Sequence, residues 1–416
     1  MRYAHVSRRI TPRVGTPLAG CLREPTSHGI YDDLYLQGLL LDDERKGKLL
    51  LFSADLVGFD TDFANRMRRW IARQDSALTP ASIVLSATHT HCGPATARFA
   101  PSYGRYNERY VSLLERHIKD CVRDLMKAPM KPGSLHCGTG RCSLAMNRRL
   151  VIRDRDGRVK DVLMKPNPGG PVDHSLGVVQ VRGKGEDVVL FNYACHPTTR
   201  AGYMISGDYP AAAVRTLRAS RNGTRAAMFL LGAAGDLRVP CTSEDGSSFV
   251  DGDSDRVIEY GNLVAGAVER VIKMSLHRVT PSFASTRVGF KLPYGTQRPQ
   301  AMTEERYRRR EEPRDGVPLE WTVWKLAPDC MLMAVPGEFC HAIGKRAKKM
   351  SGVKVPLFVG YANGLPCYVP TDRILDEGGY EADGSMSAYG RPYLLKTGID
   401  RILRETLARA LSAVGV

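Results

Sequence analysis

Short apolar runs alternate along this chain with stretches in which apolar residues recur every three to four positions. Runs of the first kind predict strands, and the second kind amphipathic helices. Residues 48–56 predict a buried strand and 60–73 a helix; 81–88 predict a second strand and 109–126 a long amphipathic helix. Two strands are expected near 177–181 and 188–193. A helix is expected to start at Asp208, with Asp208 as its cap and Pro210 inside the first turn. Then come a strand at 226–231, a helix at 253–274, a strand at 330–335, a helix at 338–350, a strand at 356–361 and a closing helix at 394–414. Alternation of this kind argues an α/β fold in layers. Stretches 147–171, 291–314 and 376–392 are polar and rich in turn-forming residues, and read as loop or hairpin excursions. No internal repeat, low-complexity tract or linker divides the chain.

Polar chemistry gathers where these strands end. The second strand runs into Thr88-His89-Thr90-His91-Cys92-Gly93-Pro94. Two histidines at i and i+2 of an extended chain point to the same side, so both imidazoles can reach one ion. The apolar run at 188–194 leads to Cys195-His196-Pro197, and the run at 331–335 leads to Pro336-Gly337-Glu338, with Glu338 where the next helix is expected. A fourth run, 228–231, enters Gly232-Ala233-Ala234-Gly235-Asp236. Open α/β sheets build their sites at the carboxyl ends of strands. Two or three imidazoles plus a carboxylate, with a position left for water, make a catalytic zinc site. Of the other histidines, His117 and His277 sit in or after helical stretches, and His28 and His174 in loops that could border a pocket.

Composition adds limits rather than chemistry. Apolar residues make up 43% and charged residues 25%, a globular balance for 416 residues. The 60 basic and 44 acidic side chains leave a formal charge of +16. That charge is spread along the chain, and its densest run, Glu304 to Glu312, mixes both signs as an exposed helix face or loop does. With no zinc-finger spacing and no ribonucleoprotein motif, a nucleic-acid partner is not expected. No apolar run is long enough to span a membrane, and no secretory pattern opens the sequence. The ten cysteines include no CxxC pair and are expected to be reduced thiols in a cytoplasmic protein. Cys92, Cys195, Cys340 and Cys367 lie beside the segments above and are expected to be small buried packing residues.

Taken together, these segments resemble the neutral (non-lysosomal) ceramidases and their bacterial homologues. The resemblance is carried by residues 86–94, Asn147-Arg148, 194–198, Ser206-Gly207-Asp208-Tyr209-Pro210, 232–236, Pro336-Gly337-Glu338-Phe339 and the 368–380 region, in family order from about residue 20 to residue 395. Gly29-Ile30-Tyr31-Asp32-Asp33-Leu34 also looks like the family's start. The resemblance implies mixed β-sheets flanked by α-helices, with residues 1–416 as a single catalytic domain without the family's C-terminal β-sandwich. It implies a Zn2+ ion bound by His89, His91 and His196, completed by Glu338 and Tyr368. It also implies that Tyr380 hydrogen-bonds the reacting carbonyl and that Arg148 meets the substrate. By itself Tyr368 would read as a core residue, and Asp236 either as support for a ligand histidine or as a turn cap.

The activity implied is hydrolysis of an N-acyl amide by metal-activated water, on a small-molecule or lipid-like substrate. Arg238 stands near the point where the family carries a serine after Gly-Asp, so any role of that serine is not carried over. A smaller or more polar N-acyl compound than ceramide, an acidic one included, fits Arg148 and Arg238 as well. The alternatives are ester or lactone cleavage at the same zinc, or a basic binding protein with a non-catalytic metal site. An amidohydrolase barrel fits less well, because its His-x-His pair lies on the first strand.

Overall fold

Leu49, Leu50, Leu51 and Phe52 follow one another and are all buried. Successive side chains of a strand point to opposite faces, so such a run needs cover on both sides. The computed structural model, which describes residues 1–20, 26–45, 47–98, 104–220, 225–300 and 315–415, provides that cover in four layers. Cys21 and the charged run at 304–312 lie outside the described residues.

One inner layer is a nine-stranded mixed sheet. It holds β1 (Arg2–Arg9), β2 (Tyr35–Asp42), β3 (Lys48–Ala54), β4 (Ile83–Ala87), β5 (Lys131–Arg141), β6 (Ser175–Gly183), β7 (Asp187–Tyr193), β8 (Arg225–Leu231) and β9 (His277–Val279). The order is β8-β7-β6-β5-β1-β2-β3-β4, with β9 paired to β5. The other inner layer is a four-stranded sheet of β10 (Ala284–Pro293), β11 (Gly316–Ala327), β12 (Cys330–Ala334) and β13 (Val355–Val359), in that order. Leu49, Leu51, Val188 and Leu190 of the first sheet meet Trp324, Leu332, Leu357 and Val359 of the second.

Helices cover the outer faces. Helices α1 (Thr61–Ala72) and α2 (Glu108–Lys127) bury Phe63, Met67, Leu114 and Ile118 against Leu50 and Phe52. Helices α3 (Asp208–Ala219) and α4 (Ser254–Met274) pack on Val189, Phe191 and Phe229. On the second sheet, α5 (His341–Met350) and α6 (Ile399–Ala413) set Ile343, Leu403 and Leu407 against Trp321, Met331 and Met333. Among the described residues, no helix is long and apolar enough to cross a membrane.

The α/β class and the mixed sheets flanked by helices match expectation, and most foreseen elements shift by only a few residues. Strands β1, β2, β5, β10 and β11 were not foreseen; all belong to antiparallel pairs. The 147–171 excursion is an antiparallel hairpin of Met146–Arg153 and Val159–Asn167. Two helix starts differ from expectation. Asp208 does not cap α3: it is the helix's first residue, and its carboxylate accepts from the amides of Tyr209 (2.6 Å) and Arg200 (3.1 Å). Glu338 does not open a helix. Gly337, at φ 113°, turns the chain so that Glu338–Phe339 pairs in parallel with Tyr368–Val369, and α5 begins only at His341.

Within the two main sheets, three pairs of neighbouring strands run parallel: β3 with β4, β7 with β8, and β12 with β13. Their carboxyl ends carry His89, His196 and Glu338 towards one region.

Candidate metal centre

His89 and His91 come together by a route different from strand alternation. β4 ends at Ala87, and His89 adopts a left-handed backbone at φ 66°. A non-glycine residue there costs on the order of 1–3 kcal/mol and persists only where its surroundings enforce it. Here the His89 amide donates to the Leu56 carbonyl (2.9 Å), and the Tyr361 ring packs 4.2 Å from the imidazole. Tyr361 and Asn363, on the segment that packs against this strand end, are also left-handed, at φ 55° and 60°. Gly20 lies so close that a Cβ on it would sit 2.4 Å from the His91 Cβ, so only glycine fits beside that ring.

The three imidazoles meet edge to edge. The Nε2 atoms of His89 and His196 are 3.0 Å apart, those of His89 and His91 3.1 Å, and those of His196 and His91 3.2 Å. His89 Nδ1 lies 2.5 Å from the Val57 carbonyl, and His196 Nδ1 lies 3.2 Å from the Ala234 carbonyl. A carbonyl only accepts, so each Nδ1 carries the proton and each Nε2 of the neutral ring keeps its lone pair. Burial, together with His89, Arg148 and His91, holds the His196 pKa well below the ordinary imidazole value, so that ring is neutral. Lone pairs facing each other at 3.0 Å repel unless a cation lies between them. A tetrahedral ion with bonds of about 2.0–2.1 Å spaces its ligand nitrogens about 3.3 Å apart. The buried group His89, His91 and His196 could therefore hold a metal ion.

The topology explains the two carbonyl supports. Val57 lies on the loop after β3, the parallel neighbour of β4. Ala234 lies on the loop after β8, the parallel neighbour of β7. Each histidine is thus oriented by the loop that follows the adjacent strand.

Glu338 faces the same point, with Oε2 3.3 Å from His89 Nε2 and 3.7 Å from His196 Nε2. Its Oε1 accepts from the Tyr389 hydroxyl at 2.5 Å. Burial alone would push this carboxyl up; His89 and the hydroxyls of Tyr389 and Tyr368 hold it below the usual range, and it is ionised. The register Glu338↔Tyr368 sets Tyr368 beside it. The Tyr368 hydroxyl in turn accepts from Arg148 Nη2 at 3.1 Å.

A cavity of ≈ 220 Å³ opens over the triad, bordered by Gly20, Arg148, Met164, Arg200, Arg238 and Tyr380 among others. Arg148 is buried and pairs with Glu381 at 3.0 Å, and its guanidinium lies 5.5 Å from the Tyr380 ring. Tyr380 opens a helical turn, Tyr380–Gly384, half-buried and edge-on to Tyr368 at 5.5 Å.

Comparison with solved structures gives matches over this architecture, two ceramidases among them. A neutral ceramidase from Pseudomonas aeruginosa superposes with a TM-score of 0.77 at 16% identity, covering 99% of this chain and 74% of that one. The chain has a neutral-ceramidase-like fold. A ceramidase complexed with C2 aligns at a TM-score of 0.78 and 16% identity, over 99% of this chain and 75% of that one. No protein-family model matches the sequence, and no curated protein matches it.

Within this ceramidase-like fold, His89, His91, His196, Glu338, Tyr368, Arg148 and Tyr380 converge, but Asp236 stands apart. It is buried behind His341, accepting from the His341 amide (2.7 Å) and Nδ1 (2.6 Å), while its own carbonyl accepts from the Arg148 amide (3.0 Å). Burial opposes its charge, yet the facing His341 keeps its carboxyl below the usual range. Support for His196 falls to the carbonyl two residues earlier, because the 232–236 loop turns its backbone, not Asp236, towards the ring.

Three contributors escaped the sequence reading. Tyr389 holds Glu338, Tyr361 packs on His89, and Glu381 ties Arg148 to Arg149. Glu381 adjoins Tyr380 in the sequence, but neither it nor the two tyrosines gave a local signal of these contacts. His28 stacks on Tyr203, His174 meets the Cys142 carbonyl, and neither joins the triad. Cys92, Cys195, Cys340 and Cys367 are buried and unbridged.

Proposed function

We propose that this protein is a zinc-dependent hydrolase of N-acyl amide bonds. The observation that carries the proposal is the triangle of Nε2 atoms at 3.0–3.2 Å, two of them with Nδ1 fixed by backbone carbonyls. His89, His91 and His196 hold the ion in this proposal, with Glu338 and Tyr368 completing its surroundings. Zinc bound there lowers the pKa of a bound water to about 7 and polarises the amide carbonyl.

The remaining work falls to the chain's own residues. Val57 and Ala234 fix the imidazole tautomers and ring planes, which preserves ligand basicity. Tyr389 and Tyr368 keep Glu338 charged at the triad. Tyr380, at the mouth, donates its hydroxyl to the oxyanion that develops on the carbonyl. Arg148, clamped by Glu381, fixes the Tyr368 hydroxyl and the Tyr380 ring. Asp236 acts one step further out, by holding the start of α5 and the Arg148 backbone. The choice of an amide leans on the likeness to ceramidases, enzymes named for cleaving ceramide, an N-acyl amide.

Elemental analysis of wild type and His89→Ala, scored with paired N-acyl amide and ester substrates, tests this. Zinc near one equivalent and amide turnover are expected in wild type, and near-total loss of both in the variant. Full zinc occupancy in His89→Ala overturns the ligand assignment. Cleavage of esters alone makes the protein an esterase, and a native protein free of zinc and indifferent to chelator is a binding protein.

A further inference from the structure

Arg148 borders the histidine cavity, and Arg149, next to it on the Met146–Arg153 strand, borders a second cavity of ≈ 490 Å³. Three guanidiniums line this second cavity, those of Arg149, Arg153 and Arg373. Their ion pairs form one network. Glu381 pairs with Arg148 at 3.0 Å and with Arg149 at 2.8 Å. Glu377 pairs with Arg149 at 3.3 Å, with Arg153 at 3.0 Å and with Arg373 at 2.9 Å. None of these side chains makes another ion pair among the described residues, so four positive charges share two negative ones.

The surplus is concentrated at one edge. Arg153 Nη2 and Arg373 Nε reach the same oxygen, Glu377 Oε1, so two like charges stand side by side on a single counter-charge. Both side chains are exposed, whereas Arg149 is buried and commits its Nη groups to Glu377, Glu381 and the Gly378 carbonyl. Beyond Glu377, Arg153 donates only to the Gly157 carbonyl, and the two Nη groups of Arg373 have no partner among the described residues. The other carboxylate lining the cavity, Asp236, has both oxygens engaged by His341. Adjacent guanidiniums with open N–H groups hold an oxyanion by charge-assisted, often bidentate hydrogen bonds. A surplus of two charges suits a dianion, and a phosphate monoester carries close to two negative charges at neutral pH. The cavity has room for more than a phosphate, and Leu150, Val151 and Ile374 give it an apolar side for an organic group.

We propose that this second cavity binds a phosphate dianion at Arg153 and Arg373. The site needs neither a metal nor the amide hydrolysis proposed above. The phosphate can be free or the head of an organic monoester, and inorganic phosphate and phenyl phosphate separate these sources. Phenyl sulfate carries the same ring on a group of single charge.

Calorimetry on the intact protein is expected to show a phosphate binding about tenfold or more tighter than phenyl sulfate, by a margin that shrinks as salt rises. Tighter binding of phenyl phosphate marks an organic monoester as the ligand; inorganic phosphate binding at least as tightly marks free phosphate. Arg153→Gln and Arg373→Gln should each weaken the phosphate about tenfold. Arg373→Lys should recover part of that loss, and melting temperatures should show that these exposed substitutions leave the fold intact. Binding should also persist after chelation and dialysis, which removes any metal at the histidines as a rival seat for the anion. No phosphate binding in wild type, loss of binding on chelation, equal affinity for phenyl sulfate, or an affinity unchanged in both glutamine variants overturns the site. Each of these outcomes leaves the hydrolase proposal standing.

Discussion

The floor and the rim of the cleft use polar groups in opposite ways. The floor is three imidazoles whose Nε2 atoms converge within 3.2 Å, two of the rings fixed by carbonyls from the loops after neighbouring parallel strands. The rim carries three guanidiniums: Arg148, paired with Glu381, Arg200, over the Tyr31 ring, and Arg238, over the Phe249 ring. Converging lone pairs attract a cation, and ordered guanidiniums attract an anion. The floor's supports, Val57 and Ala234, are buried in one core cluster just past strand ends, while the rim is assembled from excursions outside the layers. The lesson is that strand ends gather the imidazoles, whereas excursions from the layers frame the opening above them.

Four measurements sharpen or break this contrast. The largest effect belongs to the floor: His91→Ala should lower turnover about ten thousandfold, roughly 5–6 kcal/mol of transition-state stabilisation, with zinc lost. A variant that retains zinc and a hundredth of wild-type activity removes His91 from the floor.

The second measurement separates the site from its scaffold. Asp55 is buried away from the histidine cavity, accepting from the Tyr35 amide (2.9 Å) and the Thr88 hydroxyl (3.2 Å). Burial, with Asp32 nearby, raises its carboxyl from 3.8 to about 7, although Tyr35, Thr88 and Arg215 pull the other way. An acid whose folded pKa is raised favours folding in its protonated form. Stability should therefore fall as pH climbs from about 4 to about 7, by roughly 4 kcal/mol at about 1.4 kcal/mol per unit, and the loss is complete above that range. Melting curves against pH should show this fall in wild type and not in Asp55→Asn; the same fall in both acquits Asp55.

The rim supplies the smaller effects. Glu381→Gln removes the carboxylate shared by Arg148 and Arg149, taking the ion-pair partner of buried Arg148 and leaving Arg149 with Glu377. Denaturant unfolding should show a loss of about 3 kcal/mol with zinc content unchanged. Loss of zinc there would mean that floor and rim are one unit. Tyr380→Phe should slow amide turnover about thirtyfold, roughly 2 kcal/mol, with metal retained. An unchanged kcat excludes the hydroxyl from the reaction.

Local sequence determined a good deal of this protein. Apolar runs such as 188–194 announce buried strands, and His196 just past one of them announces a polar group at a sheet edge. The helices at 60–73 and 109–126 were readable because amphipathic periodicity records which face is buried. Strands β10 and β11 were not, since a strand in an antiparallel pair takes its pattern from partners far along the chain. The His89–His91 pair was visible, but its geometry was not: the sequence suggests an extended His-x-His, and the folded chain uses a left-handed turn at His89 held by Leu56 and Tyr361.

Tertiary structure alone decided which partners meet. Nothing local joins Val57 to His89, Ala234 to His196, Tyr389 to Glu338 or Glu381 to Arg148. These contacts exist because parallel strands bring their following loops side by side, and because one register sets Glu338 against Tyr368. Asp236 shows the limit most sharply. Its place in the sequence suits a histidine of the triad, yet a different histidine, His341, lies within reach once the loop closes. Hydrophobic pattern depends on neighbours a few residues apart and survives in the sequence. Hydrogen-bond partnership depends on distances in space and appears only when the layers have packed.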